Sequence, residues 1–208
     1  IGIKGSGMSS LAQILFDNGF EVLGSDIEDQ LFTQKGLEER NITLLPFSKD
    51  NITGEHTYII GNAFTDKNEE VKAVLDNNYT SYKYHEFLGK WMNRFTSIGI
   101  SGTHGKTSTT SLLSHVLTNK FPTSALIGDG TGYGALDSKY FSFEACEYKR
   151  HFLSYSPDYA VITNIDFDHP DYFKNLEDVL DAFNDFTDNA IKKVIVCGDD
   201  PNVPLLNK

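Results

Sequence analysis

Thr96-Ser97-Ile98-Gly99-Ile100-Ser101-Gly102-Thr103-His104-Gly105-Lys106-Thr107-Ser108 is the stretch on which the fold turns. Residues 96–100 read as a strand, 102–105 as a glycine-bracketed loop, and 106–118 as a helix. Each part suits an anion. Glycines let the backbone curl so that several N–H groups face one point, and a helix N-terminus adds partial positive charge. Lys106 supplies a mobile cation for β- and γ-phosphates, and Thr107 a hydroxyl for Mg²⁺. The general phosphate-loop pattern, GxxxxGK[ST], is only partly met, because position 100 is Ile. A glycine turn that caps a helix is the competing reading.

Outward from this stretch, strands and helices alternate on both sides. Toward the N-terminus, Ile1-Gly2-Ile3 reads as the tail of a buried strand and Gly5-Ser6-Gly7 as a turn. Residues 8–18 are helical by period, with Met8, Leu11, Ala12, Leu15 and Phe16 on one face and Gly19 as the stop. A strand at 20–24 runs into Ser25-Asp26; a helix at 30–41, strands at 43–45 and 57–60, and helices at 69–77 and 84–92 follow. Toward the C-terminus, strands are expected at 124–127, 140–145, 159–163 and 193–197, and a helix at 176–190. The alternation predicts an α/β protein: a Rossmann-like domain over 1–93, then a phosphate-loop domain over 94–208 with a doubly wound, mostly parallel sheet.

Composition narrows the function. The 208 residues carry a net charge of −11, with no run of Lys or Arg, so a nucleic-acid partner is not expected. An anionic ligand must instead be held by backbone N–H groups, a placed lysine or a metal. No apolar run approaches the ~20 residues of a membrane span, so no membrane partner is expected either. Cys146 and Cys197 form no CxxC pair and read as reduced thiols of a cytosolic protein. The chain opens on Ile1 inside a strand-and-glycine motif and stops soon after a strand, as a fragment would.

Three further clusters are chemical. Glu144 ends the 140–145 strand, where α/β sheets bind ligands; it reads as a Mg²⁺ ligand or as a solvated strand end. Asn164-Ile165-Asp166-Phe167-Asp168-His169-Pro170-Asp171 follows another strand; helix capping explains one or two of its polar groups, and His169 reads as a metal ligand or phosphate contact. Gly5-Ser6-Gly7-Met8-Ser9-Ser10 matches GxGxxG except at Ser10, with Asp26 where a ribose-binding acid is expected, so a dinucleotide or another nucleotide diphosphate fits there.

Gly2-Ile3-Lys4-Gly5-Ser6-Gly7-Met8-Ser9, Gly102-Thr103-His104-Gly105-Lys106-Thr107, Glu144-Ala145-Cys146-Glu147 and Asn164-Ile165-Asp166-Phe167-Asp168-His169, in that order, resemble the Mur ligases of peptidoglycan synthesis. That family's GT-x-GKT loop accounts for Ile100. The resemblance implies a cytoplasmic enzyme using ATP and Mg²⁺ to join L-alanine to UDP-N-acetylmuramate through an acyl phosphate. It implies that Gly102, Thr103, His104, Gly105, Lys106, Thr107, Ser108 and Asn164 bind ATP. It places Lys106 and His169 in catalysis, Thr107 and Glu144 on one Mg²⁺, and His169 at a second metal site. Gly5, Ser6, Gly7, Met8, Ser9, Asp26 and Asn62 would serve the UDP-sugar. Cys146 stands where many relatives carry an acid, so no role is transferred to it. The family's third domain, which helps bind the amino acid, has no counterpart here, so this chain alone is expected to be inactive. Two alternatives stay open: a recycling ligase that adds a preformed peptide to the same sugar, and a nicotinamide-dependent oxidoreductase built on the first glycine turn.

Overall fold

The computed structural model describes residues 1–206. In chain order its elements are α1 (Ser6–Asp17), β1 (Leu23–Asp26), α2 (Lys35–Glu38), β2 (Thr43–Pro46), β3 (Tyr58–Ile60), α3 (Glu69–Asp76), β4 (Ser81–Lys83), α4 (Tyr84–Met92), β5 (Thr96–Ser101), α5 (Lys106–Thr118), β6 (Thr123–Leu126), β7 (Gly132–Tyr133), β8 (Tyr140–Glu144), β9 (Tyr159–Ile162), α6 (Leu176–Asp188) and β10 (Lys193–Val196). They form two compact units. Residues 1–88 and 128–136 make the first; residues 89–127 and those from 137 onward make the second.

In the first unit β1 pairs with β2 and β3 with β4, both in parallel. Ile1-Gly2-Ile3 forms no ladder of its own but joins the two pairs. Gly2 and Ile3 N–H donate to Ser25 O at 2.8 and 3.1 Å, and Gly61 N–H donates to Ile1 O at 2.9 Å. Ile1 N also donates to Ile59 O at 2.8 Å.

Helix α1 ends as its sequence predicts: Gly19, at φ +82°, lets Phe20 N–H reach back to Leu15 O at 3.1 Å. That closure delays the next strand, which begins at Leu23 rather than Phe20. The buried face also differs from the expected one. Ile14 is fully buried and Phe16 exposed, because residues 128–136 return to cover a second, polar face of the helix. Gln13 holds that strap at both amide ends, donating to Gly130 O at 2.7 Å and accepting from Gly132 N–H at 3.3 Å. Arg40, paired with Asp17 at 2.8 Å, donates to Gly132 O. The strap lies in the first unit although the sequence reading placed it with the second domain. The long helix expected at 30–41 is replaced by a 3-10 turn, Phe32–Gln34, and the short α2. Thr33 Oγ1 donates to Lys4 O there, and only Leu37 buries a large apolar side chain.

In the second unit the strands run in the order β10, β9, β5, β8, β6, and every neighbouring pair is parallel. From β5 the chain crosses over to β6 on one side; from β8 it crosses to β9 and then β10 on the other. Right-handed crossovers thus place α5 and α6 on opposite faces. The core is aromatic. Phe141 and Phe143, two apart on β8, stack at 5.3 Å, and Phe152 stacks on Phe186 at 4.6 Å. Val179, Ala182, Phe183 and Phe186 recur at helical spacing on α6 and are all buried. Each fully buried Phe contributes about 1.5–3 kcal/mol. The loops after β9, β5 and β8, three adjacent strands, therefore open at one edge of the sheet, where α/β proteins bind ligands.

Candidate active site

Helix α5 starts differently from α3 and α6. Those two are capped by Asn68 and Asn175 side chains and carry acids in their first turns. Helix α5 has Gly105 at its N-cap, no side-chain cap and no acid in its first turn. The N–H groups of that turn have no intrahelical partner and no capping side chain, which leaves them open to an anion. Helix α1 shares this design: its N-cap is Gly5, again without a side-chain cap or an acid.

The phosphate loop is held by the loop after β9. Asn164 grips His104 with both ends of its amide, Oδ1 accepting from His104 N–H at 2.9 Å and Nδ2 donating to His104 O at 2.8 Å. Thr163 Oγ1 donates to the same carbonyl at 2.6 Å. Thr103 exchanges two bonds with Asp166, through Asp166 N–H at 2.8 Å and Asp166 O at 3.1 Å. The His104 side chain is exposed, so this residue acts through its backbone. Gly102 sits at φ +135°, and a Cβ there would lie 2.1 Å from Thr163 Oγ1 and 2.9 Å from Asn164 O. Gly102→Ala is expected to destabilise the second unit by about 3 kcal/mol through strain and overpacking, read by urea unfolding. Wild-type stability would show that the loop is not locked by its neighbour.

Lys106 Nζ folds back on this loop, donating to Gly102 O at 2.5 Å and Thr103 O at 3.1 Å. It also donates to Glu147 Oε1 at 3.1 Å. Glu147 Oε2 lies 3.0 Å from the same nitrogen without a hydrogen bond of its own, and the Glu147 side chain is 3% exposed. Thr107 Oγ1 donates to Glu144 Oε2 at 2.9 Å, which joins the start of α5 to the end of β8. His169 Nε2 lies 3.7 Å from Glu147 Oε1. Ser108 is exposed in the first turn of α5. Lys106, Thr107, Glu144, Asn164 and His169 are thus brought together from three loops. Glu147 completes the set and was not singled out by the sequence; its position three residues past Glu144, at the same strand end, was the available signal. Burial, with Glu147 beside it, pushes the Cys146 thiol up.

Among the described residues no cluster of three His, Cys, Asp or Glu side chains forms a metal cage. Mg²⁺ needs none, since it takes one or two protein oxygens and completes its shell with phosphate and water. Thr107 Oγ1 and Glu144 Oε2 are two hard oxygen donors 2.9 Å apart, and they fit that requirement.

In the first unit, Gly5, Ser6, Gly7 and Met8 lie at the open N-terminus of α1, with Gly5 and Ser6 exposed. Ser9 is turned inward, its hydroxyl donating to Thr33 O at 2.7 Å. Asp26 is 6% exposed and supports the turn from beneath, accepting from Lys4 N–H at 2.7 Å and Ile27 N–H at 2.8 Å. The Lys4 ammonium is spent on Ile27 O and Asp29 O. Asn62 follows β3, with Oδ1 2.7 Å from His85 Nδ1, and burial pushes the His85 pKa down. A cavity of about 400 Å³ also opens beside Ile1, Leu11, Leu15 and Tyr58. Of the residues expected to bind ligand, only Met8 lines it.

Two family models match this chain: the catalytic domain of the Mur ligase family over residues 1–96, and the Mur ligase middle domain over residues 100–208. The UDP-N-acetylmuramate:L-alanyl-gamma-D-glutamyl-meso-diaminopimelate ligase of Neisseria meningitides is similar at 25% identity and TM-score 0.83, over 99% of this chain and 72% of that one. The UDP-N-acetylmuramate-alanine ligase of Thermotoga maritima is similar at 26% identity and TM-score 0.83, over 99% of this chain and 50% of that one. A murein peptide ligase of Psychrobacter arcticus shares the fold, at 22% identity and TM-score 0.81, over 99% and 49%. The chain therefore spans about half the length of two of these proteins.

Proposed function

This chain belongs to the Mur ligase family, and from that premise we propose that it is the UDP-sugar- and ATP-binding part of a cytoplasmic ligase that joins L-alanine to UDP-N-acetylmuramate. The observation that carries the reading is the convergence of Lys106, the Thr107–Glu144 pair and His169 at the ends of β5, β8 and β9.

The chemistry has two steps. An oxygen of the sugar's carboxylate attacks the γ-phosphorus of ATP, and ADP leaves. The amine of L-alanine then attacks the carbonyl carbon of the acyl phosphate, loses a proton, and expels phosphate as the amide forms. Both steps gather negative charge at one place, so fixed cations and dipoles speed them. The N–H groups at the start of α5 cradle phosphate oxygens. The Lys106 ammonium moves from Gly102 O and Thr103 O to the β- and γ-phosphates, and Glu147 keeps it near. Thr107 and Glu144 would hold Mg²⁺, which supplies charge neutralisation at the phosphates. His169, beside Glu147, would stabilise charge on the transferring phosphoryl group or help hold a second metal. In the first unit, the open N-terminus of α1 at Gly5–Met8 suits the diphosphate of the sugar nucleotide, while Ser9 and Asp26 shape the turn. Asn62, in the loop after β3, is assigned to the same ligand.

A second reading is a recycling ligase that adds a preformed peptide to the same sugar. It is favoured by the similarity to the Neisseria enzyme, which equals that to the Thermotoga enzyme in TM-score. The nicotinamide-dependent alternative gives Lys106 no task and is not carried forward. ADP release by the full-length protein, with UDP-N-acetylmuramate and either L-alanine or the tripeptide, separates the two ligase readings. Turnover with L-alanine alone is the expected result; turnover only with the tripeptide would replace the first reading by the second.

A further inference from the structure

We propose that Tyr148 is a positioning residue that holds the His169 imidazole toward Glu147 and the phosphate loop. The inference rests on the reading of His169 as an active-site group and assigns the residue that keeps it there.

His169 has φ +53°, a left-handed conformation uncommon for a non-glycine residue, and its surroundings hold it there. Part of that hold is backbone. His169 N–H donates to Asp168 Oδ1 at 2.7 Å, and His169 O accepts from Tyr172 and Phe173 N–H at 2.9 and 3.0 Å. The ring itself is steadied from the other loop. The Tyr148 ring lies 4.7 Å from the imidazole, tilted by 41°. Tyr148 is fixed in turn, because its hydroxyl donates to Asp171 Oδ2 at 2.6 Å and its ring meets Tyr172 edge-on at 6.0 Å. One side chain thus grips the His169 turn at residues 169, 171 and 172.

The turn that presents Tyr148 is itself forced. Lys149 and Arg150 follow it at φ +53° and +56°. Arg150 N–H donates to Glu147 O at 2.8 Å, and its guanidinium is tied to Asp178 at 2.7 Å. This fold-back buries Glu147 against Lys106 and lays the next residue, Tyr148, over His169. Three left-handed residues in two touching loops are strain kept where a precise arrangement is needed. Neither loop could set the Glu147–His169 distance alone.

The test compares Tyr148→Ala, Tyr148→Phe and His169→Ala in the full-length enzyme. Tyr148→Ala is expected to lower kcat about tenfold, as loss of a group supporting an active-site histidine does. KM for ATP should stay within about twofold, since the phosphate cradle is untouched. Tyr148→Phe keeps the ring contact and should recover most of kcat. The imidazole proton signals of His169, shifted by the Tyr148 ring current, should move in Tyr148→Ala and stay near their place in Tyr148→Phe. If His169→Ala lowers kcat while Tyr148→Ala does not, the proposal fails and the active-site reading stands. If Tyr148→Ala lowers kcat without moving the His169 signals, the effect is structural and the proposal also fails. If His169→Ala leaves kcat unchanged, the active-site reading itself fails and takes this one with it.

Discussion

Lys106→Met is expected to slow ATP-dependent turnover of the full-length enzyme by about 100- to 1,000-fold while UDP-sugar affinity stays within about threefold. The ammonium is the cation at the centre of the loop, 12% exposed and bonded to two loop carbonyls and to Glu147. Phosphoryl transfer spreads charge over the γ-phosphate oxygens, and a methionine keeps the stem of the lysine but cannot meet that charge. The substitution has a second consequence. It leaves the Glu147 carboxylate, 3% exposed, without its counter-ion. Breaking such a buried pair from one side costs about 3–5 kcal/mol. Lys106→Met should therefore also lower stability, and adding Glu147→Gln should restore most of it without restoring turnover. ADP release and urea unfolding read the two effects separately. Unchanged kcat in Lys106→Met would remove Lys106 from the chemistry.

His169→Ala is expected to lower kcat by at least about 100-fold, with little change in KM for ATP. Its imidazole sits 3.7 Å from the carboxylate that holds Lys106, at the end of a strand beside β5. A group stabilising charge only as the phosphoryl moves should act on kcat rather than on ATP binding. A loss under about threefold would return His169 to a structural part in its turn.

Much of this was legible in the sequence because local signals and the fold agree. The strand, glycine loop and helix at 96–118 stand where their residues put them, as do the polar ends of β8 and β9. Asn164 and Glu144 were visible because short polar runs follow apolar strands. What escaped depends on partners distant in sequence. Glu147 matters because Lys106, 41 residues away, faces it. Gln13 looks like the solvated side of an amphipathic helix until the strap at 128–136 covers it, 117 residues later. Strand β4 has the polar sequence Ser81-Tyr82-Lys83 and is half-buried, so alternation gives no sign of it. Asp26 was placed by analogy with ribose-binding acids; its carboxylate accepts from Lys4 N–H, just before the glycine turn, and from its neighbour Ile27 N–H, contacts the sequence pattern does not reveal.

The central claim is that this site spends ATP to activate a carboxylate. UDP-N-acetylmuramate labelled with ¹⁸O in its carboxyl group, turned over by the full-length enzyme with ATP and L-alanine, tests it by mass analysis of the phosphate released. Attack by the carboxylate on the γ-phosphorus, followed by expulsion of phosphate by the amine, predicts one carboxylate oxygen in each phosphate. Phosphate free of ¹⁸O, released in step with the amide product, would contradict the account.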